Sequence, residues 1–252
     1  MVLPPPGYFD VSGPLPSGLA VASRLVAFLP AMPHPREVSS KARASLRYDV
    51  SMASIDDFVA GLSAIPERDF TVPGVARFLA DNPVDPASLE KYLFYEATHY
   101  TRNLIHKSDL FELLAVCWES GQSSPVHNHQ GQHCWMAVPI GRLAVQNYDL
   151  VRADEQGFCE LRLAERLVMD PGHPAFVDPE EPIHAVLNLA EYGRRATSLH
   201  VYSRPYDRCV VYAPERNAYW EVPLFYDSEH GRRTARTLSA SGGSAPESSA
   251  RR

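Results

Sequence analysis

The chain has 252 residues, enough at roughly 150 residues per domain for one large or two small domains with a sizeable core. Hydrophobic residues at 45% and charged residues at 21% rule out disorder along the whole length. A formal net charge of -6, from 24 Lys+Arg against 30 Asp+Glu, provides no general positive field for nucleic acid or an anionic membrane surface.

Residues 1–40 carry an unusual share of the 22 prolines and read as an extension with one short helix around 19–29. The start lacks the basic leader and small-residue cleavage site of a signal peptide, and no apolar run approaches the ~18–20 residues of a membrane span. A cytoplasmic protein with no membrane or nucleic-acid partner is therefore expected. Four scattered cysteines, Cys117, Cys134, Cys159 and Cys209, contain no Cys-x-x-Cys pair, which argues against a zinc ribbon or a secreted disulfide framework.

From Ser54 the apolar residues Ile55, Phe58, Val59, Leu62 and Ile65 recur at helical spacing behind a capping box in which Asp57 stands for the usual Glu or Gln. A second short helix fits 74–79, and a third begins at Asp85-Pro86, carrying Leu89, Tyr92 and Leu93. From about residue 100 the pattern changes to short apolar or alternating runs: 110–118, 134–139, 143–151, 161–169, 175–177, 185–189, 197–202, 209–212 and 219–225. So many short strands at close spacing predict an antiparallel sandwich or barrel under a small N-terminal helical cap. One domain spans 41–236 with its helices at about 54–93. The Ser/Gly/Ala-rich stretch 237–252 cannot offset its ordering entropy and is expected to be a disordered tail.

His127 and His129 are two residues apart, so in an extended strand both imidazoles point to one face and can reach one ion. The doublet alone fits a solvated loop equally well. The wider spacing is more specific: Gly121, five residues, His127-x-His129, four residues, Cys134, six residues, Gly141 resembles the first motif of the cupin superfamily, with Cys134 where that motif has a metal-binding Glu. Pro179, His184 and Asn188 resemble the end of the second motif, although Glu181 replaces its Gly and Gly172 lies one residue too far upstream. The resemblance implies a mainly β protein, a cupin jelly-roll barrel, with His127, His129 and His184 on one metal.

Three neutral imidazoles would leave a divalent ion its full charge and open positions, which suits a substrate bringing its own anion such as a thiolate. Iron, zinc, nickel and copper all accept such ligands. The resemblance narrows to the cysteine dioxygenase family through Tyr100-Thr-Arg102-Asn, Cys117-Trp118, Ser123-Ser124-Pro-Val-His127-Asn-His129, His133-Cys134, Ser198-Leu-His200-Val-Tyr202-Ser203 and Tyr206-Asp207-Arg-Cys209, spread in order over 85–226. It implies one Fe(2+) per chain on His127, His129 and His184, and a substrate carboxylate held by Arg102 with help from Tyr100. It further implies a thioether between Cys134 and Tyr202, and support of that tyrosine by Ser198 and His200.

Ser198, His200 and Tyr202 alternate, so they share one strand face and Leu199 and Val201 share the other. Alternation alone also admits the polar row facing solvent. Cys209 is similar to a cysteine near the family's site entrance, though packing accounts for it equally; Cys117 and Cys159 read as packing residues. Arg204-Pro205 stands where vertebrate members have two prolines, so a cis peptide there is not carried over, and Arg204 is a candidate to alter the pocket's charge.

The resemblance implies a non-haem iron thiol dioxygenase that converts L-cysteine and O2 to cysteine sulfinic acid, acting in cysteine catabolism as a monomer. Two rivals remain. One is a dioxygenase for 3-mercaptopropionate or another small thiol, against which Arg102 counts, because relatives acting on that acid tend to carry Gln there. The other is a non-catalytic small-molecule-binding cupin, which has no need of the Ser198-His200-Tyr202 row.

Overall fold

Ser54, in extended conformation, opens helix α1 (Ile55–Ser63) by accepting the Asp57 N–H at 3.1 Å. Asp57 does not reach back to the Ser54 backbone as a full capping box would; its shorter side chain accepts the Ser54 hydroxyl instead, at 2.7 Å. The computed structural model of the chain describes residues 52–171 and 183–235, with the backbone alone of 26–27 and 175–177. Thr71 caps helix α2 (Val72–Asp81), which begins two residues before the expected 74–79 and runs two beyond it. The third element, Pro86–Tyr92, starts at its Asp85 cap as expected but is a 3-10 helix. Its start carries the same Asp-Pro cue as an α-helix, so capping chemistry could not tell the two apart.

The strands are β1 (Val26–Ala27), β2 (Thr101–Lys107), β3 (Phe111–Trp118), β4 (Val126–His127), β5 (Cys134–Ile140), β6 (Leu143–Ala153), β7 (Cys159–Met169), β8 (Ala175–Val177), β9 (His184–Leu187), β10 (Ala196–Ser203), β11 (Arg208–Ala213), β12 (Ala218–Pro223), β13 (Ser228–Glu229) and β14 (Arg232–Arg233). They form two sheets, one in the order β1-β8-β5-β10-β3-β2-β13-β14 and one in the order β12-β11-β4-β9-β6-β7. Every pairing is antiparallel except β13 on β2. The result is the double-stranded jelly roll of the cupins with a helical cap.

Val26–Ala27 corrects part of the sequence reading: they pair with β8 as a strand, not as part of a helix over 19–29. Strand β8 pairs with β5 on one side and leaves its other edge for a short extended segment to satisfy, whatever that segment's helical pattern suggests. The rest of the 1–40 extension and the whole 237–252 tail lie outside the described residues. So do Gly172, Pro179 and Glu181. Among the described residues, no helix is long and apolar enough to cross a membrane.

The larger sheet is covered on both faces, and this fixes the site. Leu113, Ala115, Leu199, Val201 and Trp135 face the helices, packing with Ile55, Phe58, Leu62, Val75, Leu79 and Leu89. Leu114, Val116, Trp118, Met136 and Val138 face inward and meet Leu143, Val145 and Val186 of the smaller sheet. Each fully buried aliphatic side chain contributes roughly 1.5–3 kcal/mol. A one-residue slip of β10 would exchange its two faces and is correspondingly excluded. At Gly141, where φ is +80° in the β5–β6 turn, an added Cβ would lie 2.5 Å from the Arg195 carbonyl oxygen. That is why a glycine closes this turn.

Candidate active site

His127 ends β4 and pairs directly with His184, the first residue of β9, so strand register alone brings two imidazoles together. Around them the backbone is laced tightly. The Ser124 N–H donates to the Val186 carbonyl, and the Val186 N–H donates to the Ser124 hydroxyl at 3.0 Å. The Asn188 side chain donates to the carbonyls of Trp118 and Arg194. The Asn188 backbone exchanges bonds with Gly121 and Gln122, giving the His-x3-Asn spacing a physical purpose. His129 follows in a loop held to β11 through Asn128, whose N–H donates to the Val210 carbonyl and whose amide reaches the Tyr212 hydroxyl at 3.1 Å.

One ligating atom from each of His127, His129 and His184 lies within 4.8 Å of the others, the group of metal-ligating type found among the described residues. The His127 Nδ1–H donates to the Pro125 carbonyl at 3.0 Å, which fixes the tautomer and leaves Nε2 a bare lone pair. Burial drives the His127 pKa down to about 4. His129 is pushed well below its ordinary range, by burial first and then by its histidine neighbours and Arg102. His127 and His129 are thereby held neutral, the form in which an imidazole can bind a metal.

His129 is 1% exposed, and neither of its ring nitrogens has a hydrogen-bond partner. A buried imidazole orphaned at both nitrogens is costly unless an ion takes one lone pair. The trio therefore fits a metal. Cys134 stands apart from it. Its Sγ lies 3.8 Å from His200 Nδ1, and its Cα partner across the β5–β10 ladder is Tyr202.

Ser198, His200 and Tyr202 point inward and are buried, so the solvent-facing alternative does not hold. Trp118 Nε1–H donates to Ser198 Oγ at 3.0 Å. The Ser198 hydroxyl also lies 2.8 Å from His200 Nε2, where the tautomer of the ring sets which atom donates. On the other side of the ring, His200 Nδ1 lies 3.2 Å from the Tyr202 hydroxyl. With the His200 ring protonated at Nδ1, the row runs from Trp118 through Ser198 and His200 to the Tyr202 hydroxyl. Burial, then Arg102 and His127, lower the His200 pKa to about 3, so the relay stays neutral.

Arg102 projects from β2 into the same space, its guanidinium carbon 5.9 Å from the Tyr202 ring centre. Its side chain is 13% exposed, and Nε and Nη2 have no hydrogen-bond partner. Burial opposes its charge, but the surrounding tyrosines and Glu112 outweigh that and raise the pKa. Tyr100 stacks on Trp118 with ring centres 4.6 Å apart.

Sequence reasoning gave no role to Trp118, Glu112 or Tyr206. Trp118 anchors the relay. Glu112 is fully buried with Oε1 3.7 Å from Arg102 Nη2. Tyr206 sets its ring edge-on to Tyr202 at 5.1 Å. The parity of Glu112, Leu114, Val116 and Trp118 along β3 was the available signal. Arg204 is exposed with φ +70°, and no contact of its side chain with the pocket residues is observed; no cis peptide occurs among the described residues. Cys209 is buried with Val211 and Val222, while Cys117 and Cys159 are buried elsewhere, as packing residues.

A jelly roll whose interior carries three converging imidazoles, a buried guanidinium with two N–H donors open, and a hydrogen-bonded phenol has the layout of a cupin metal site. Residues 47–215 match the family model described as cysteine dioxygenase type I, and the chain belongs to that family. It is 25% identical over 190 residues to cysteine dioxygenase type 1 of Danio rerio, covering 75% of this chain and 93% of that protein. It is 28% identical over 158 residues to cysteine dioxygenase type 1 of Rattus norvegicus, covering 62% and 77% respectively. An RmlC-like cupin protein from Desulfovibrio desulfuricans overlays on 45% of this chain and 91% of its own at 14% identity, with a TM-score of 0.34.

Proposed function

We propose that the protein is an iron(II)-dependent thiol dioxygenase whose substrate is L-cysteine and whose product is cysteine sulfinic acid. The observation that carries this reading is the fork of Arg102, Nε and Nη2, buried without a hydrogen-bond partner beside three histidines with no carboxylate in the ligand set. An iron(II) ion on His127, His129 and His184 would supply the redox chemistry that lets dioxygen react with a thiolate. Both oxygen atoms end on sulfur, so the four electrons the sulfur loses are the four that dioxygen gains.

The chain's own groups do the positioning. Arg102 offers two parallel N–H donors to a carboxylate in a desolvated wall, where a charge-assisted fork is strong and lysine is no substitute. Tyr100, packed on Trp118, borders that wall. Tyr202 presents its hydroxyl hydrogen to substrate or oxygen, held by His200, Ser198 and Trp118 in the order described above. A thioether from Cys134 to the Tyr202 ring would lock that orientation further. Holding both reactants in one dry cavity converts an encounter into a local event, which is where most of the acceleration would come from.

The test is oxygen uptake by iron-reconstituted protein with L-cysteine, 3-mercaptopropionate and cysteamine, with the sulfinates identified. L-cysteine should give the highest kcat/KM. Preference for 3-mercaptopropionate would replace the substrate, and no uptake with any thiol would favour a binding protein. In Arg102→Ala, KM for L-cysteine should rise about 10²-fold, while cysteamine, which lacks a carboxylate, should be little affected.

A further inference from the structure

Among the described residues, Glu112 is an acidic group buried against Arg102, and the reaction proposed above makes no use of it. Its side chain is 0% exposed. One oxygen, Oε2, accepts the Tyr226 hydroxyl at 2.5 Å and lies 3.9 Å from Lys107 Nζ. Lys107 in turn donates to the Tyr226 hydroxyl at 3.1 Å. The other oxygen, Oε1, has no hydrogen-bond partner and sits 3.7 Å from Arg102 Nη2.

That distance is too long for a hydrogen bond and short for a Coulombic one. Glu112 thus shares the charge of Arg102 without occupying its donors. The position is fixed by the fold: Glu112 faces Tyr202 across the β3–β10 ladder and Lys107 across the β2–β3 ladder. Burial raises the Glu112 pKa, while Tyr226, Arg102 and Lys107 pull it back toward the ionised form.

We infer that Glu112 is a specificity-determining residue that weakens the pocket's hold on carboxylate-bearing thiols relative to thiols without a carboxylate. The inference rests on the reading of Arg102 as the carboxylate partner. A carboxylate received on Nε and Nη2 would stand beside the Glu112 carboxylate in a wall sheltered from water, where like charges are poorly screened. Part of the attraction of Arg102 is therefore already spent on a resident anion. Lys107, 44% exposed at the rim, offsets Glu112 only in part. A thiol with no carboxylate meets no such repulsion.

The experiment is a pair of opposite charge changes, read on L-cysteine and cysteamine. Glu112→Gln keeps the volume and removes the charge; it should lower KM for L-cysteine about tenfold and leave cysteamine within about twofold. Lys107→Met removes the offsetting charge from a half-exposed position and should raise KM for L-cysteine about threefold, again sparing cysteamine. Anaerobic calorimetric dissociation constants should move with the KM values. Should Glu112→Gln fail to fold, Lys107→Met decides alone.

A purely structural Glu112 would weaken both thiols together or lower only the melting temperature, and either result overturns the inference. So does an L-cysteine KM that stays put in both variants. Arg102→Ala separates the two levels. If it raises the L-cysteine KM while Glu112→Gln does nothing, the Glu112 inference alone is lost. If Arg102→Ala changes nothing, the carboxylate reading falls and takes the inference with it.

Discussion

Tyr202 and Cys134 are direct partners across the β10–β5 ladder, with Cys134 buried and free of any disulfide. Side chains facing each other on one sheet surface lie close enough to react without moving the backbone. Protein purified after aerobic turnover with iron and L-cysteine should contain a fraction whose intact mass is lower by two hydrogens. Peptide mapping should place the link between residues 134 and 202. Cys134→Ser should lack that fraction; a mass deficit persisting in the variant would assign it elsewhere.

The direction of the relay can be tested one member at a time. Ser198→Ala removes the partner of His200 Nε2 and leaves the Trp118 N–H without its acceptor. The expected result is kcat lower by roughly 10–10²-fold with KM for L-cysteine nearly constant, since Arg102 is untouched. Tyr202→Phe should lose at least as much. Equal activity of both variants and wild type would mean that the phenol does nothing in the reaction.

Acid should destabilise the metal-free protein in a specific window. His200 has a folded-state pKa of about 3, and His129 is likewise depressed, against an ordinary histidine value near 6.5. Below about pH 6.5 the unfolded chain takes up protons that the folded chain refuses, so stability falls as pH drops toward the folded value. Each such histidine contributes up to about 1.4 kcal/mol per pH unit in that window. The melting temperature of metal-free protein should therefore decline between pH 6.5 and 4.5, less steeply in His200→Gln. A flat profile in the native sequence would contradict the burial of these rings.

Gly141→Ala should be among the more damaging single substitutions outside the pocket. The new Cβ meets backbone atoms of Arg195 and Ala196 rather than a movable side chain, and φ is +80°. A loss of about 2–3 kcal/mol is expected by denaturant unfolding. Gly131, where nothing lies within 4 Å of an added Cβ, serves as the comparison for the conformational cost alone.

The parts of this molecule legible in the sequence are those with one dominant cause. The Ser54 helix showed itself through its cap and apolar spacing. Gly121, His127, His129 and Gly141 are legible because two turns and a pair of converging imidazoles impose fixed intervals. Pro86–Tyr92 is legible as a helix but not as a 3-10 one, because its first residues satisfy either helix type. β4, β13 and β14 are two residues each, too short to leave a periodic trace. Glu112 was overlooked for a different reason. β3 is buried on both faces, so its sequence reads as a continuous apolar run, and which side a lone acid takes is decided only by pairing with β2 and β10.

The parallel seam between β13 and β2 bears on how the chain can be shortened. Ser228 and Glu229 lie beside Asn103 and Leu104, and the Ser228 hydroxyl donates to the Asn103 side chain at 2.8 Å. The Asp227 carboxylate accepts the backbone N–H of Arg102, also at 2.8 Å. Truncations that trim the polar C-terminus should therefore end after residue 235. A cut ahead of Asp227 would unpin the very strand that carries the guanidinium, and a fusion partner belongs beyond that boundary.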